Sequence, residues 1–315
     1  MNDIIVNLRQ ITAYVNNYTY EEINRILSKL IPHVPIIIYQ SDKIPRSDKG
    51  LYRDPSIIYR ARPNKPLDQD STMEMPWTKV SEISLVPETK KDKIQFGRAN
   101  KEKQSRFYAS NDFHVACYEV IWHKFPLKTN EKDQKLTIGK WKITKPLNLA
   151  YIPYSTNYLS KILNNGIKIQ EDIYKIIDKE KEQINNLLLK QKSDIDSDKS
   201  IIEYFSDEFA KLEINCENDY FLSNFYCDQV FENCPNENGI LDIDGIIFPS
   251  VSFSYQYYNL VLHPRSMSKI KFIEAMYIWV NYFNDIKKMQ FTPLEQNVSA
   301  DESGQIIWNL FKQKK

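Results

Sequence analysis

Apolar positions recur along this chain with two periods, and the periods mark out its elements. Residues 3 to 31 read as helical. In their second half Thr19 stands as an N-cap and Glu22, three residues on, closes a capping box; Ile23, Ile26, Leu27 and Leu30 then follow at helical spacing. Residues 40 to 57, polar and carrying Pro45, Gly50 and Pro55, read as a connection. Ile57-Ile58-Tyr59-Arg60-Ala61-Arg62 has the composition of a strand, and residues 63 to 78 that of a proline-containing loop. A glycine-marked loop, Phe96 to Asn100, precedes a short strand, Arg106 to Ala109. Ser110 is placed to cap a helix of roughly 111 to 124. On it Phe113, Ala116, Cys117, Val120 and Ile121 form one apolar stripe. Glu119 falls about 60° outside the stripe, at the rim of the core, where a carboxylate can face a cleft.

The second half of the chain is read the same way. Residues 168 to 192 are strongly helical, with Ile173, Ile176, Ile177, Ile184, Leu187 and Leu188. Lys192 to Ser200 is polar and reads as a flexible loop, followed by helices at 201 to 212 and 220 to 231. Leu241 to Ser250 is a turn entering a strand, and Tyr257 to Leu262 is a second strand stopped by His263-Pro264. Residues 267 to 285 fit either helix or strand, and the chain beyond Lys288 is polar. Three regions follow: an N-terminal helical accessory region at 1–50, a main domain at 51–288 with a helical insertion at about 150–215, and a polar tail at 289–315.

Composition removes several function classes. Lysine and arginine number 42 against 41 acidic residues, a net charge of +1, unlike the basic footprint of a nucleic-acid binder but compatible with a local basic pocket. Glycine is scarce: only 7, with no spacing that matches a dinucleotide fingerprint or a phosphate loop. Any phosphate must therefore be held mainly by side chains. Cys117, Cys216, Cys227 and Cys234 contain no CxxC pair, and His33, His114, His123 and His263 no HExxH, so no metal is expected. No GxSxG elbow is present. The N-terminus lacks the pattern of a signal peptide and no apolar run reaches the ~18 residues of a membrane span. The chain reads as soluble and cytoplasmic, with no membrane or nucleic-acid partner.

The remaining polar residues carry a resemblance. Tyr59-Arg60, Gly97-Arg98-Ala99-Asn100, Phe107-Tyr108-Ala109-Ser110 leading to Ala116-Cys117-Tyr118-Glu119, and Asp244-Gly245-Ile246-Ile247-Phe248-Pro249-Ser250 occur in the order of the motifs of the RES domain, a family named for an arginine, a glutamate and a serine. The match resembles that family over about residues 57 to 263. Ala99 stands where the family loop usually has tryptophan, and the segment 150–215 reads as an insertion.

The resemblance implies an α+β fold like that of ADP-ribosyltransferases, a split mixed β-core with surrounding helices, here with an added N-terminal helical region. It implies NAD as substrate, cleaved at the nicotinamide–ribose bond by a glycohydrolase or phosphorylase, with no metal. It also implies a growth-arresting toxin or defence effector, with a protein antitoxin of the Xre type as partner; a homo-oligomer contact through the insertion is a further expectation. The alternatives are an ADP-ribosyltransferase acting on a protein, and a RES-like binding module without activity. On this reading Glu119, Arg60 and Ser250 are catalytic, and Arg60, Gly97, Arg98, Tyr108 and Ser250 bind NAD. Glu119 supplies negative charge to an oxocarbenium-like ribose. Arg60 and Arg98 fork onto the pyrophosphate, with Arg62 and Arg106 as substitutes. Gly97 lets the Arg98 loop approach the ligand, Tyr108 stacks on a ring of the ligand, and Ser250 bonds to ribose, phosphate or nicotinamide.

Overall fold

The computed structural model describes residues 3–41, 56–66, 74–122, 133–164, 171–191, 195–211, 214–232, 242–250, 257–283, 288–296 and 300–310. Most of the connection read at 40–57, together with His123 and Cys234, lies outside them. The helices are α1 (Asp3–Ala13), α2 (Tyr20–Leu30), α3 (Phe113–Trp122), α4 (Thr156–Asn164), α5 (Glu171–Gln191), α6 (Ile195–Phe209) and α7 (Phe221–Glu232). The strands are β1 (Ile37–Gln40), β2 (Ile57–Pro63), β3 (Lys65–Pro66), β4 (Glu74–Met75), β5 (Phe107–Ser110), β6 (Asp133–Ile143), β7 (Asn148–Tyr151), β8 (Gly245–Pro249), β9 (Tyr258–Leu262), β10 (Ile270–Phe283), β11 (Lys288–Gln296) and β12 (Asn309–Leu310). β3 and β4 form a small ladder of their own.

Local chemistry accounts for the ends of these elements. The capping box at α2 forms as expected: Glu22 N donates to Thr19 Oγ1, and Thr19 N donates to Glu22 Oε2. Tyr20, Ile23 and Leu27 are buried, whereas Ile26 is exposed. At α3 the cap is Asp112, not Ser110. Asp112 Oδ1 accepts from His114 N at 2.8 Å, while Ser110 is wholly buried in β5 and donates to the Tyr258 carbonyl. The acidic, serine-rich residues from 195 to 200 form the first turns of α6, not a loop. Asp196 and Asp198 lie in its first turn, where carboxylates favour the unpaired N–H groups.

The described strands other than β3 and β4 form one mixed ten-stranded sheet, in the order β1-β7-β8-β9-β5-β2-β6-β10-β11-β12. β7 and β8 are parallel, and the other pairs are antiparallel. β2 pairs with β6 along its length but meets β5 through a single pair, Tyr59 with Ser110. The sheet is thus split in the middle. Residues 289–315, read as a polar tail, instead supply most of β11 and all of β12. Each side of β11 pairs with a neighbour, and main-chain pairing does not require an apolar sequence.

Helices cover both halves. Leu8, Ile23, Leu27, Phe205 and Phe225 of α1, α2, α6 and α7 share a core with Ile246, Phe248 and Val261 of the sheet. On a second core, Ile177, Ile184 and Leu188 of α5 meet Tyr151, Tyr258 and Leu260. Across the split, α3 sets Ala116, Cys117 and Ile121 against Ala61, Ile138, Ile278 and Val280. β8 is buried throughout, as a near-continuous apolar run in a covered strand requires. A Cβ on Gly245 would lie 2.6 Å from the Val261 carbonyl oxygen, so this strand pair admits only glycine there. Among the described residues no helix is long and apolar enough to cross a membrane.

Candidate active site

A cavity of about 520 Å³ lies at the split, lined from both sides: Tyr59, Arg60 and Ala61 of β2, Tyr108 and Ala109 of β5, and Ala116, Glu119 and Val120 of α3. Phe248 and Asn259, register partners on β8 and β9, add to its wall, as do Gly97, Arg98 and Tyr220.

Glu119 is half-buried on the exposed side of the α3 stripe. Its Oε1 accepts from Ser250 Oγ and from Asn259 Nδ2, each at 2.8 Å. Ser250 is completely buried at the end of β8, and its N–H donates to the Tyr257 carbonyl. Two neutral donors on adjacent strands thus hold one carboxylate oxygen. Such bonds to an ionised acceptor are the stronger kind. No sequence motif marks Asn259; its sign in the sequence is a lone amide inside the otherwise apolar run Tyr258-Asn259-Leu260-Val261-Leu262.

Arg60 is buried, 8 % exposed, and spans the split: its Nη1 donates to the Tyr108 carbonyl at 3.0 Å. Its guanidinium lies 4.9 Å from the Phe107 ring centroid. Its Nε has no hydrogen-bond partner among the described residues. Burial, and then the neighbouring charge of Arg62, push its pKa down to about 9. A desolvated cation on a cavity wall favours an anionic neighbour.

The other expected ligand residues line the cavity and also hold its loop in place. Arg98 is buried, and its fork closes the end of α6: Nη2 donates to the Lys211 carbonyl at 2.8 Å and Nη1 to that of Phe209. These acceptors are the carbonyls a helix leaves unpaired at its C-terminus. Arg98 therefore ties the insertion to the site loop while it also lines the cavity. Tyr108 uses its hydroxyl to pin that loop, donating to Asn100 Oδ1 and accepting from Ala99 N, both at 2.8 Å. Burial raises the pKa of this phenol, so it stays protonated. Gly97 is required by its own loop, since a Cβ there would come within 2.6 Å of Asn100 Oδ1. Asn224 of α7 donates to the Gly97 carbonyl at 2.7 Å. Asp244, in the same sequence motif as Ser250, is buried and accepts from Asn148 N, Ser266 Oγ and Lys269 Nζ, which joins β7, β8 and the turn after β9.

Two tyrosines close the surroundings. Burial chiefly pushes the Tyr158 phenol up to about 12 and raises that of Tyr220; both feel Arg98 and Glu119. The folded chain therefore brings Arg60, Arg98 and Glu119 to one cavity, with Ser250 behind Glu119. Among the described residues no group of three or more His, Cys, Asp or Glu side chains is arranged to hold a metal. No known family model matches the sequence, and a comparison with curated proteins finds no match.

Proposed function

We propose that this chain is an NAD-consuming enzyme of the RES type, cleaving the nicotinamide–ribose bond on an ADP-ribosyltransferase-like fold, and acting as a growth-arresting toxin or defence effector. The observation that carries the reading is the pairing, in one cavity, of a held carboxylate, Glu119, with a buried arginine, Arg60, whose Nε is unused. The cavity volume lies within the range of small-molecule sites.

NAD supplies a cationic pyridinium that takes the C–N electron pair and departs as neutral nicotinamide, leaving positive charge on the ribose. Glu119 holds the opposite charge beside that centre. Ser250 and Asn259 keep its oxygen oriented, so no reorganisation is needed as charge develops. Arg60 is the pyrophosphate contact, a bidentate donor whose desolvation is already met by the fold. Tyr220 and Phe248 offer ring faces and edges for the flat parts of the substrate. Water completes hydrolysis with release of one proton; inorganic phosphate in its place makes the reaction a phosphorolysis.

The test is nicotinamide release by the purified chain, with and without phosphate. Glu119→Gln should lower the rate by about 10²–10³ without loss of fold. Label carried on the adenylate distinguishes small products from a modified protein, the mark of a transferase. If folded wild-type chain leaves NAD intact in every arm, including cell extract that supplies acceptors and partners, the proposal fails.

A further inference from the structure

A second cavity, about 580 Å³, lies beside the start of β5 and is lined by Ser84, Lys91, Lys103, Ser105, Arg106 and Pro264, among others. Arg106 is 6 % exposed, and its Nε–H has no hydrogen-bond partner among the described residues. Its guanidinium lies over the Phe231 ring at 4.6 Å, a contact that satisfies charge but not the N–H donors. Asp228, part of its electrostatic surroundings, accepts from Tyr20 Oη and Lys101 Nζ at Oδ2.

The lining is of mixed charge, with Arg106, Lys91 and Lys103 against Glu88. His263, nearby, is held neutral, its pKa pushed down to about 4 by burial and then by Arg106 and Arg265. Lys91 and Lys103 stand at the mouth with the exposed partners Glu88 and Asp92, at 2.5 and 3.5 Å. Such exposed pairs are weak and exchange readily for a better anion. An apolar flank of Leu85, Val86 and Pro87 completes the wall.

We propose that this cavity is a second ligand site, separate from the Glu119 cavity, that takes a phosphorylated small molecule with its phosphate on Arg106 and the two lysines at the mouth. A dianionic phosphate pairs with the Arg106 guanidinium on the cavity wall, and the apolar flank contacts the organic part. Arg106 stands two residues before Tyr108, so the ligand would touch the strand whose next side chain on that face pins the Gly97–Asn100 loop.

The test uses the full chain carrying Arg60→Gln, which removes the phosphate contact of the first cavity, titrated with inorganic phosphate and with ribose 5-phosphate by calorimetry. Binding with Kd of about 1 mM or tighter is expected, tighter for the organic phosphate. Adding Arg106→Gln should weaken it about tenfold or more. Lys91→Gln with Lys103→Gln, at the accessible mouth, should weaken binding in the same direction and serves if the buried substitution prevents folding. No binding to the Arg60→Gln chain, or undiminished affinity in the folded variants, overturns the proposal. Nicotinamide release does not enter the readout, so this site and the proposed activity can fail separately.

Discussion

Two donors from neighbouring strands, Ser250 Oγ and Asn259 Nδ2, converge on Glu119 Oε1, and their removal should act on the transition state more than on substrate binding. Ser250→Ala or Asn259→Ala should lower kcat for nicotinamide release by about tenfold or more, the worth of one hydrogen bond to a charged acceptor, with KM little changed. Asn259→Asp, which replaces the amide donor by an acceptor and sets a second negative charge beside Oε1, should lower kcat further than Asn259→Ala. At this scale the candidate residues Arg60, Glu119 and Ser250 were legible in the sequence, but their roles were not. Ser250 lies 131 residues from Glu119, and only the fold turns it from a ligand contact into a support.

Among the elements, α5 is fastened by a buried acid. Glu180 is 2 % exposed, and its Oε1 accepts from the hydroxyls of Tyr151 and Tyr258, while the Tyr154 N–H also bonds to its carboxyl. These bonds favour the charged form, but desolvation outweighs them and pushes the pKa up to about 8. In the unfolded chain the group titrates near its ordinary value of about 4.3. The folded state thus holds a proton that the unfolded state gives up, and stability falls as pH rises from about 4.3 to about 8. The change is on the order of a few kcal/mol across that window. Urea midpoints at pH 4, 6 and 9 should fall in that order, and Glu180→Gln should flatten the series. An unchanged slope in the variant would show that α5 is not fastened this way. The helix itself is legible from its apolar spacing. The acid among those positions reads as a solvated charge until the tyrosines of β7 and β9 are seen around it.

For the molecule as a whole, the split sheet decides where a site can exist. One pair, Tyr59 with Ser110, joins its halves, and the Arg60 guanidinium crosses the gap beside it. The second half ends not at β10 but at β11 and β12, with Trp308 Nε1 donating to the Trp77 carbonyl and Ile306 buried. A chain stopped after residue 287 would leave β10 with an unpaired edge from Met276 to Phe283. Such an edge invites pairing with other chains. The truncated protein should therefore elute as aggregate in size-exclusion chromatography and show a lowered unfolding midpoint, whereas a dispensable tail would leave both unchanged.

The sequence by itself determined what depends on near neighbours: the Thr19–Glu22 box, the stripe on α3 that leaves Glu119 at its rim, and the apolar run of β8. Each rests on contacts within a few residues, so spacing alone expresses it. Only the tertiary structure decided that Asn259 shares the carboxylate, that Arg98 closes α6, that Asp112 caps α3, and that residues 289–296 and 309–310 belong to the sheet. Each of these depends on which donor or carbonyl stays unpaired once the chain has folded. For all but the cap, the partner is brought near by strand register and helix packing, not by proximity in the chain.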